Sequence, residues 1–106
     1  MSPLELLKNC MKVLGAKSAL VGYGMTETSP LITINSVHDT LENKTHTIGK
    51  AVDHTEIKVV DLNGKTLPLN QPGELLIRGY NTMIGYWGDK KKTEETYTND
   101  RFLKTG

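Results

Sequence analysis

The ten-residue stretch VGYGMTETSP, residues 21–30, carries side chains whose types and spacing could bind a planar, charged ligand. Gly22 and Gly24 have no Cβ atom, so the backbone can approach a ligand closely at both positions. Tyr23 between them offers an aromatic face for a planar base and a hydroxyl at its tip. A short apolar run precedes the stretch, as is typical of a ligand loop at the carboxyl edge of an α/β sheet.

The polar residues that follow indicate phosphate and metal binding. The hydroxyls of Thr26 and Thr28 can donate hydrogen bonds to phosphate oxygens. Glu27 lies between them, and a carboxylate beside a phosphate is repulsive unless a hard cation lies between the two. Mg²⁺ held by one or two carboxylates and by substrate phosphates is the usual arrangement. The loop therefore predicts a site for a magnesium-bound nucleotide; the alternative is a glycine-rich turn that carries a surface glutamate.

Other binding patterns do not fit. The dinucleotide fingerprint G-x-G-x-x-G requires glycine where this chain has Glu27, and the P-loop pattern G-x-x-x-x-G-K-[ST] does not occur. His38, His46 and His54 lack the i, i+3 or i+4 spacing of zinc ligands, so we predict no zinc site.

Composition places the chain among ordinary globular domains. With 106 residues, 37% of them apolar, the chain is long enough for one domain with a modest core. Thirteen basic and twelve acidic residues give a net charge of +1, which removes the electrostatic case for nucleic acid or an anionic membrane as the main partner. A single cysteine, Cys10, cannot form an intrachain disulfide, and its apolar helical setting predicts that its side chain is buried. The absence of a disulfide pair favours a reducing, intracellular compartment for the protein. Neither a membrane-spanning run nor a signal peptide is recognisable.

A capped helix is predicted at the start of the chain. Ser2, Pro3 and Glu5 form a capping box with proline at the first helical position, and Met1 and Leu6 form a hydrophobic staple.

This helix is expected to be covered on more than one side, because two apolar stripes run along it. One stripe comprises Leu4, Leu7, Met11 and Leu14, and the other comprises Leu6, Cys10 and Val13. Gly15 ends the helix, and residues 19–21 then predict a buried strand that needs parallel neighbours on both sides. Residues 1–30 are therefore interpreted as the helix, strand and nucleotide loop of a larger α/β sheet.

The remaining chain, residues 31–106, is predicted to be a β-rich, distorted-barrel-like subdomain with one short helix. Strands are predicted at residues 31–34, 56–61, 74–78 and 101–104. Residues 35–47 are polar and predict a mobile loop. Asn63-Gly64 predicts a type I′ hairpin turn, and a short charged helix is predicted after Asp89. The fold class is therefore α+β.

Several conspicuous side chains are given structural interpretations. The lysines at residues 90–92 are followed one turn later by Glu94 and Glu95, which favours a solvated helix face. Trp87, Tyr80 and Tyr86 are expected to close the core. Arg78 is expected to pair with an acidic neighbour.

Three motifs in the same order resemble the adenylate-forming superfamily, which comprises acyl-CoA synthetases, luciferases and peptide-synthetase adenylation domains. The motifs are Tyr23-Gly24-Met25-Thr26-Glu27 (Y-G-x-T-E), the segment from Pro72-Gly73-Glu74-Leu75 to Gly85-Tyr86-Trp87 (G-E-L-x-I-x-G…G-Y), and Leu103-Lys104-Thr105-Gly106, which resembles T-G-D without its aspartate. Residues 78–88 with residues 92–95 resemble in particular the medium-chain acyl-CoA synthetases of the mitochondrial type.

The resemblance implies ATP-dependent activation of a fatty acid: acyl-AMP forms with loss of pyrophosphate, and coenzyme A then takes the acyl group. It implies a cofactor site formed by Gly22, Tyr23, Gly24, Met25 and Thr26. Tyr23 would lie against adenine, Thr26 would hold phosphate as a catalytic residue, and Glu27 would bind Mg²⁺ as the second catalytic residue.

The same resemblance implies that parts of the enzyme lie outside this sequence. The family's phosphate loop would lie upstream, its catalytic lysine and ribose-binding aspartate would lie downstream, and no residue here is assigned to coenzyme A. The chain is therefore expected to be an inactive piece of a larger domain, whose partners are fatty acid, ATP, coenzyme A and the rest of its own chain. A mitochondrial location fits the resemblance. Two alternatives remain: another adenylate-forming enzyme, and a stand-alone β-rich binding module.

Overall fold

The computed structural model describes residues 3–106, so the predicted capping and staple contacts of Met1 and Ser2 lie outside the described residues. These residues contain three helices: α1 (Pro3–Leu14), α2 (Leu41–His46) and α3 (Lys90–Thr96). The same part of the chain contains six strands: β1 (Gly22–Gly24), β2 (Leu31–Ile34), β3 (Lys50–Ala51), β4 (Thr55–Val60), β5 (Glu74–Gly79) and β6 (Leu103–Lys104). A single 3₁₀ turn, Thr26–Thr28, follows β1.

The predicted helix α1 is confirmed, but its predicted burial is wrong. Gly15 follows it with φ 65°, and the Ala16 N–H closes the end by donating to the Met11 carbonyl at 3.0 Å. No residue of α1 is buried, and Cys10 is exposed rather than buried. An apolar helix face is buried only where another element covers it, and within residues 3–106 α1 packs mainly against α2.

The strand before the glycine loop differs from the prediction in position and in pairing. Strand β1 begins at Gly22, and the run at residues 19–21 forms no strand and is not buried, with Leu20 44% exposed. The chain turns back through the 3₁₀ turn, so β1 pairs antiparallel with β2, and β3 pairs antiparallel on the other side of β2. No parallel pair occurs within residues 3–106.

Residues 35–47, predicted to be a mobile loop, contain the short helix α2. Thr40 caps this helix by accepting a hydrogen bond from the Asn43 N–H at 3.1 Å, and the Thr47 N–H donates to the Asn43 carbonyl at 3.0 Å at the other end. A threonine N-cap satisfies a helix-end donor locally, so a polar sequence can form a helical turn here.

The second sheet has the order β4-β5-β6 and is antiparallel throughout. Its strands confirm the predictions for residues 56–61 and 74–78, and β6 confirms a strand within residues 101–104. Val60, Leu76 and Phe102 form its buried apolar cluster. Helix α3 is also as predicted, with the Asp89 carboxylate accepting from the Lys92 N–H at 3.0 Å.

The hairpin after β4 is confirmed, but its predicted type I′ turn is wrong. A type I′ turn needs positive φ at both central residues. Gly64 has φ 80°, whereas Asn63 does not have a positive φ. The Asp61 carboxylate instead accepts from the N–H groups of Asn63 and Lys65, both at 2.9 Å, and holds a wider loop.

Two of the three aromatic residues expected in the core lie on the surface. Tyr80 is 77% exposed and Trp87 is fully exposed, while Tyr86 is half-buried. The aromatic side chains that do fill the core are Tyr97 and Phe102, 7% and 6% exposed. Both lie just after α3, in a stretch (residues 97–102) whose other side chains are polar or charged.

The architecture is thus a mixture of helices and two small antiparallel sheets, and within residues 3–106 the sheets do not close into a barrel. Strand β2 pairs with β1 across residue 30, and the division into residues 1–30 and 31–106 stays a prediction. Over the same part of the chain, no helix combines the length and apolarity that a membrane crossing requires.

Candidate functional site

The structure places all six predicted site residues on one short segment, formed by β1 and the 3₁₀ turn that follows it. Gly22, Tyr23 and Gly24 form the strand, and Met25 connects it to Thr26 and Glu27 in the turn. Thr26 is exposed, whereas Tyr23 and Glu27 are half-buried. An aromatic ring, a hydroxyl and a carboxylate thus follow one another along the chain from β1 into the turn, and their role as a ligand site stays a prediction.

Three polar side-chain ends of this segment are not used by the chain itself. The Tyr23 hydroxyl, the Thr26 hydroxyl and the Glu27 carboxylate make no hydrogen bond or ion pair within residues 3–106. A carboxylate accepts through two oxygens and a hydroxyl both donates and accepts. These groups are thus available for a phosphate oxygen and a cation.

Thr28, by contrast, is not available for a ligand, which corrects the sequence-based interpretation of its hydroxyl. Thr28 is completely buried. Its hydroxyl oxygen accepts from the Met25 N–H at 3.1 Å, and its hydrogen is shared between the carbonyl oxygens of Met25 and Pro30, each at 2.8 Å. Thr28 therefore fixes the shape of the loop rather than binding phosphate.

Gly24 is required by the fold of the loop itself. A Cβ atom built at Gly24 would lie 1.7 Å from the Pro30 carbonyl oxygen, far inside van der Waals contact. The close approach arises because the chain reverses between β1 and β2 within six residues, with Ser29 in the left-handed region at φ 57°. A side chain at this position would prevent the reversal.

The segment after β5 contacts the loop through Asn81 and Met83, residues for which the sequence predicted no such contact. The Met83 N–H donates to the Glu27 carbonyl oxygen at 2.8 Å, and the Tyr97 hydroxyl donates to the Met83 carbonyl. Asn81, 6% exposed, donates to the Leu31 carbonyl at 2.8 Å. Residues 78–88 entered the sequence-based interpretation through the family resemblance, and nothing in their pattern indicated where the Asn81 side-chain amide and the Met83 backbone amide would bind.

A cation at this site would need ligands from outside the described chain. No group of three or more His, Cys, Asp or Glu side chains that could hold a metal ion occurs within residues 3–106. Glu27 alone fits an ion that completes its coordination with substrate phosphates and water, which is typical of Mg²⁺.

Comparison with known proteins identifies the class. The model of a family described as "AMP-binding enzyme" matches residues 1–87, and the chain belongs to this family. The alternative of a stand-alone β-rich module without enzyme relatives is not supported.

Particular relatives refine this assignment. The chain is 43% identical, over 99% of its length, to a Bos taurus protein described as "Medium-chain acyl-CoA ligase ACSF2, mitochondrial". A long-chain-fatty-acid-CoA ligase from Archaeoglobus fulgidus superimposes on 96% of the chain with a TM-score of 0.79 and 30% identity, and the match covers 22% of that ligase. ATP-bound MatB from Rhodopseudomonas palustris superimposes on 83% of the chain with a TM-score of 0.76 and 32% identity, and the match covers 17% of MatB. The chain spans 17% of the bovine protein, so it corresponds to a small part of such an enzyme.

Proposed function

We propose that this chain is the nucleotide-binding part of an ATP-dependent fatty acid–CoA ligase, which joins a fatty acid to AMP and then transfers the acyl group to coenzyme A. The observation that carries the proposal is the loop at residues 22–27, in which the Tyr23 hydroxyl, the Thr26 hydroxyl and the Glu27 carboxylate make no hydrogen bond or ion pair within residues 3–106. The 43% identity to an acyl-CoA ligase favours this member of the family over a luciferase or a peptide-synthetase domain.

Different residues of the loop would contact different parts of the nucleotide. The Tyr23 ring would stack on the adenine, and the backbone at Gly22, Gly24 and Met25 would allow the nucleotide to approach closely. Thr26 would donate its hydroxyl hydrogen to a phosphate oxygen, which orients the reacting phosphate.

The Glu27 carboxylate fits Mg²⁺, because it is half-buried and makes no ion pair within residues 3–106. When bound there, Mg²⁺ would neutralise charge on the phosphates. Glu27 itself would position the cation beside the nucleotide. Coenzyme A is a substrate of the proposed reaction, and we assign none of these residues to it.

The relative's mitochondrial description supports a mitochondrial location for the parent enzyme, in fatty acid and lipid metabolism. The 106-residue chain by itself is expected to be inactive, because positioning and charge stabilisation must act together in such chemistry. Incubation with ATP, Mg²⁺ and octanoate tests this. Steady release of pyrophosphate from the isolated chain would refute it.

Substitution of Glu27 in the parent enzyme tests the proposed metal role. Glu27→Gln should reduce ATP–pyrophosphate exchange about 100-fold or more, and raise the Mg²⁺ concentration needed for half-maximal rate, with the fold unchanged. Glu95→Gln, at an exposed position of α3, is the matched control and should retain the parent rate. Unchanged exchange and Mg²⁺ dependence in the Glu27 variant would contradict the assignment.

A further inference from the structure

The backbone at Glu27 is held by a contact from outside its own turn. The carbonyl oxygens of Met25 and Thr26 accept hydrogen bonds from N–H groups three residues later, at 3.0 and 3.3 Å. The Glu27 carbonyl oxygen instead accepts from the Met83 N–H at 2.8 Å. The orientation of the Glu27 peptide group, and with it the direction of the carboxylate, therefore depends on where Met83 lies.

Met83 is held in turn by Tyr97. The Tyr97 hydroxyl donates to the Met83 carbonyl oxygen, while the Met83 N–H donates to Glu27. Met83 is thus hydrogen-bonded through both of its backbone groups, to the loop on one side and to the residue that follows α3 on the other. Because both bonds restrain the same short piece of backbone, loss of the bond to Tyr97 also loosens the bond to Glu27.

Tyr97 is a firm anchor for this pair of hydrogen bonds. Its side chain is 7% exposed, and its backbone forms an antiparallel bridge with Leu103. The guanidinium carbon of Arg101 lies 4.2 Å from the centre of its ring, which is a cation–π contact. The residue is therefore held at its backbone, on the face of its ring and at its hydroxyl.

The Tyr97 hydroxyl is not needed to fill the core. Phe102, which is buried to the same degree, has the same ring without a polar group. A buried hydroxyl is costly unless it is hydrogen-bonded, and here its partner is the backbone of the residue that contacts Glu27. A carboxylate that binds a metal must be held within about 0.5 Å of its productive position by the contacts behind it.

We propose that Tyr97 is a positioning residue for the metal site, whose hydroxyl sets the place of the Glu27 carboxylate through Met83. In this role Tyr97 touches neither the nucleotide nor the cation. The inference rests on the proposed function, since it takes Glu27 as the residue that positions Mg²⁺.

Tyr97→Phe in the parent enzyme tests the inference, because it removes the hydroxyl and keeps the ring. The Mg²⁺ concentration needed for half-maximal ATP–pyrophosphate exchange should rise about tenfold, as is typical when a contact behind a metal ligand is lost. The rate at saturating Mg²⁺ and the KM for octanoate should stay the same. In the enzyme without substrates, hydrogen–deuterium exchange followed by mass spectrometry should be faster in the peptide that contains Met83.

Two further variants separate positioning from a general loss of structure. Tyr80→Phe is the matched control, because it removes a hydroxyl from a side chain that is 77% exposed, and it should change none of these values. In an enzyme that already carries Glu27→Gln, Tyr97→Phe should raise the Mg²⁺ requirement no further, because both residues act through the same carboxylate.

An unchanged Mg²⁺ requirement in the Tyr97→Phe enzyme would overturn the proposal, and so would unchanged exchange at Met83. A parallel rise in the KM for octanoate, or loss of folded enzyme, would overturn it by showing that the hydroxyl serves the core in general. An equal rise in the Mg²⁺ requirement with and without Glu27→Gln would place the effect outside Glu27. If Glu27→Gln itself leaves the Mg²⁺ dependence unchanged, the proposed metal role fails too, whereas an impaired Glu27 variant beside an unimpaired Tyr97 variant removes only this inference.

Discussion

Two threonines in the site, Thr26 and Thr28, show how far a residue type determines a role. Both follow the glycine pair and both carry a hydroxyl that could bind phosphate. In the structure Thr28 is completely buried with its hydroxyl bonded to three backbone groups, whereas the exposed Thr26 hydroxyl has no partner within residues 3–106. One therefore holds the loop, and the other is left for a ligand.

Gly24 offers a test of how tightly that loop is closed. Gly24→Ala should reduce the free energy of unfolding by about 3 kcal/mol, because the new Cβ atom must displace backbone. The carbonyl oxygen that it would meet, on Pro30, is 1.7 Å away. Urea unfolding measures the change.

Gly22→Ala is the matched control in the same strand. Its Cβ atom would lie 2.8 Å from the Leu31 Cδ1 atom, the end of a flexible side chain that can move, and 3.6 Å from the Thr33 carbonyl oxygen, an ordinary contact. The expected loss is about 1 kcal/mol or less. Equal losses for the two variants would show that the loop can relax around Gly24.

The best-defined polar contact between neighbouring elements joins β4 to β5. Glu56 and Arg78 lie opposite each other in the register, with Arg78 Nε 2.6 Å from Glu56 Oε2 and Nη2 3.1 Å from Oε1. Arg78 also donates to the Asp100 carbonyl at 3.0 Å and lies 4.4 Å above the Phe102 ring centre. This confirms that Arg78 pairs with an acidic neighbour and connects the sheet to the segment before β6.

This pair makes stability depend on pH in acid. The hydrogen bonds from Arg78 hold the pKa of Glu56 below its ordinary 4.5. A carboxylate whose pKa is lowered by folding stabilises the fold above its ordinary pKa, and this contribution is lost as the pH falls through the lowered value. The unfolding temperature of the unsubstituted chain should therefore decrease as the pH falls below 4.5. The unfolding temperature of the Glu56→Gln variant should decrease less steeply over the same range.

Glu42→Gln serves as the control, because Glu42 is exposed and makes no ion pair within residues 3–106. Its acid profile should follow that of the unsubstituted chain. Thermal unfolding by circular dichroism at a series of pH values gives the comparison. Parallel profiles for all three proteins would mean that Glu56 has the same pKa in the folded and unfolded chains.

At the scale of the whole molecule, a few hydrogen bonds hold the two sheets together. Asn81 donates to Leu31 in the first sheet at 2.8 Å and accepts from Thr55 in the second at 3.4 Å. Close to it, the Met83 backbone N–H donates to the Glu27 carbonyl oxygen at 2.8 Å. The proposed nucleotide loop is therefore positioned by the segment that follows β5, at the end of the second sheet.

Asn81→Ala should weaken this connection. It removes the hydrogen bond from the buried Asn81 side chain to the Leu31 carbonyl, which costs about 1 kcal/mol. The amide of Met83 should also exchange faster with solvent, since the segment that holds it loses its anchor. Asn99→Ala, at an exposed turn, is the control and should change neither value. Unchanged Met83 exchange in the Asn81 variant would show that the sheets are coupled by other contacts.

The sequence by itself determined the features that arise from nearby residues. The first helix, its glycine end, the paired strands β4 and β5, the capped helix α3 and the candidate ligand loop all follow from local spacing and capping. The motifs at residues 23–27 and 72–87 also predicted the family that the comparisons then showed.

Only the tertiary structure decided what depends on distant partners. It showed that β1 pairs antiparallel with β2, that Cys10 and Trp87 lie on the surface, and that Lys44 is buried. It also placed Asn81 and Met83 behind the loop. Burial and strand pairing depend on which surfaces meet after the chain has folded, and no spacing along one segment encodes that meeting.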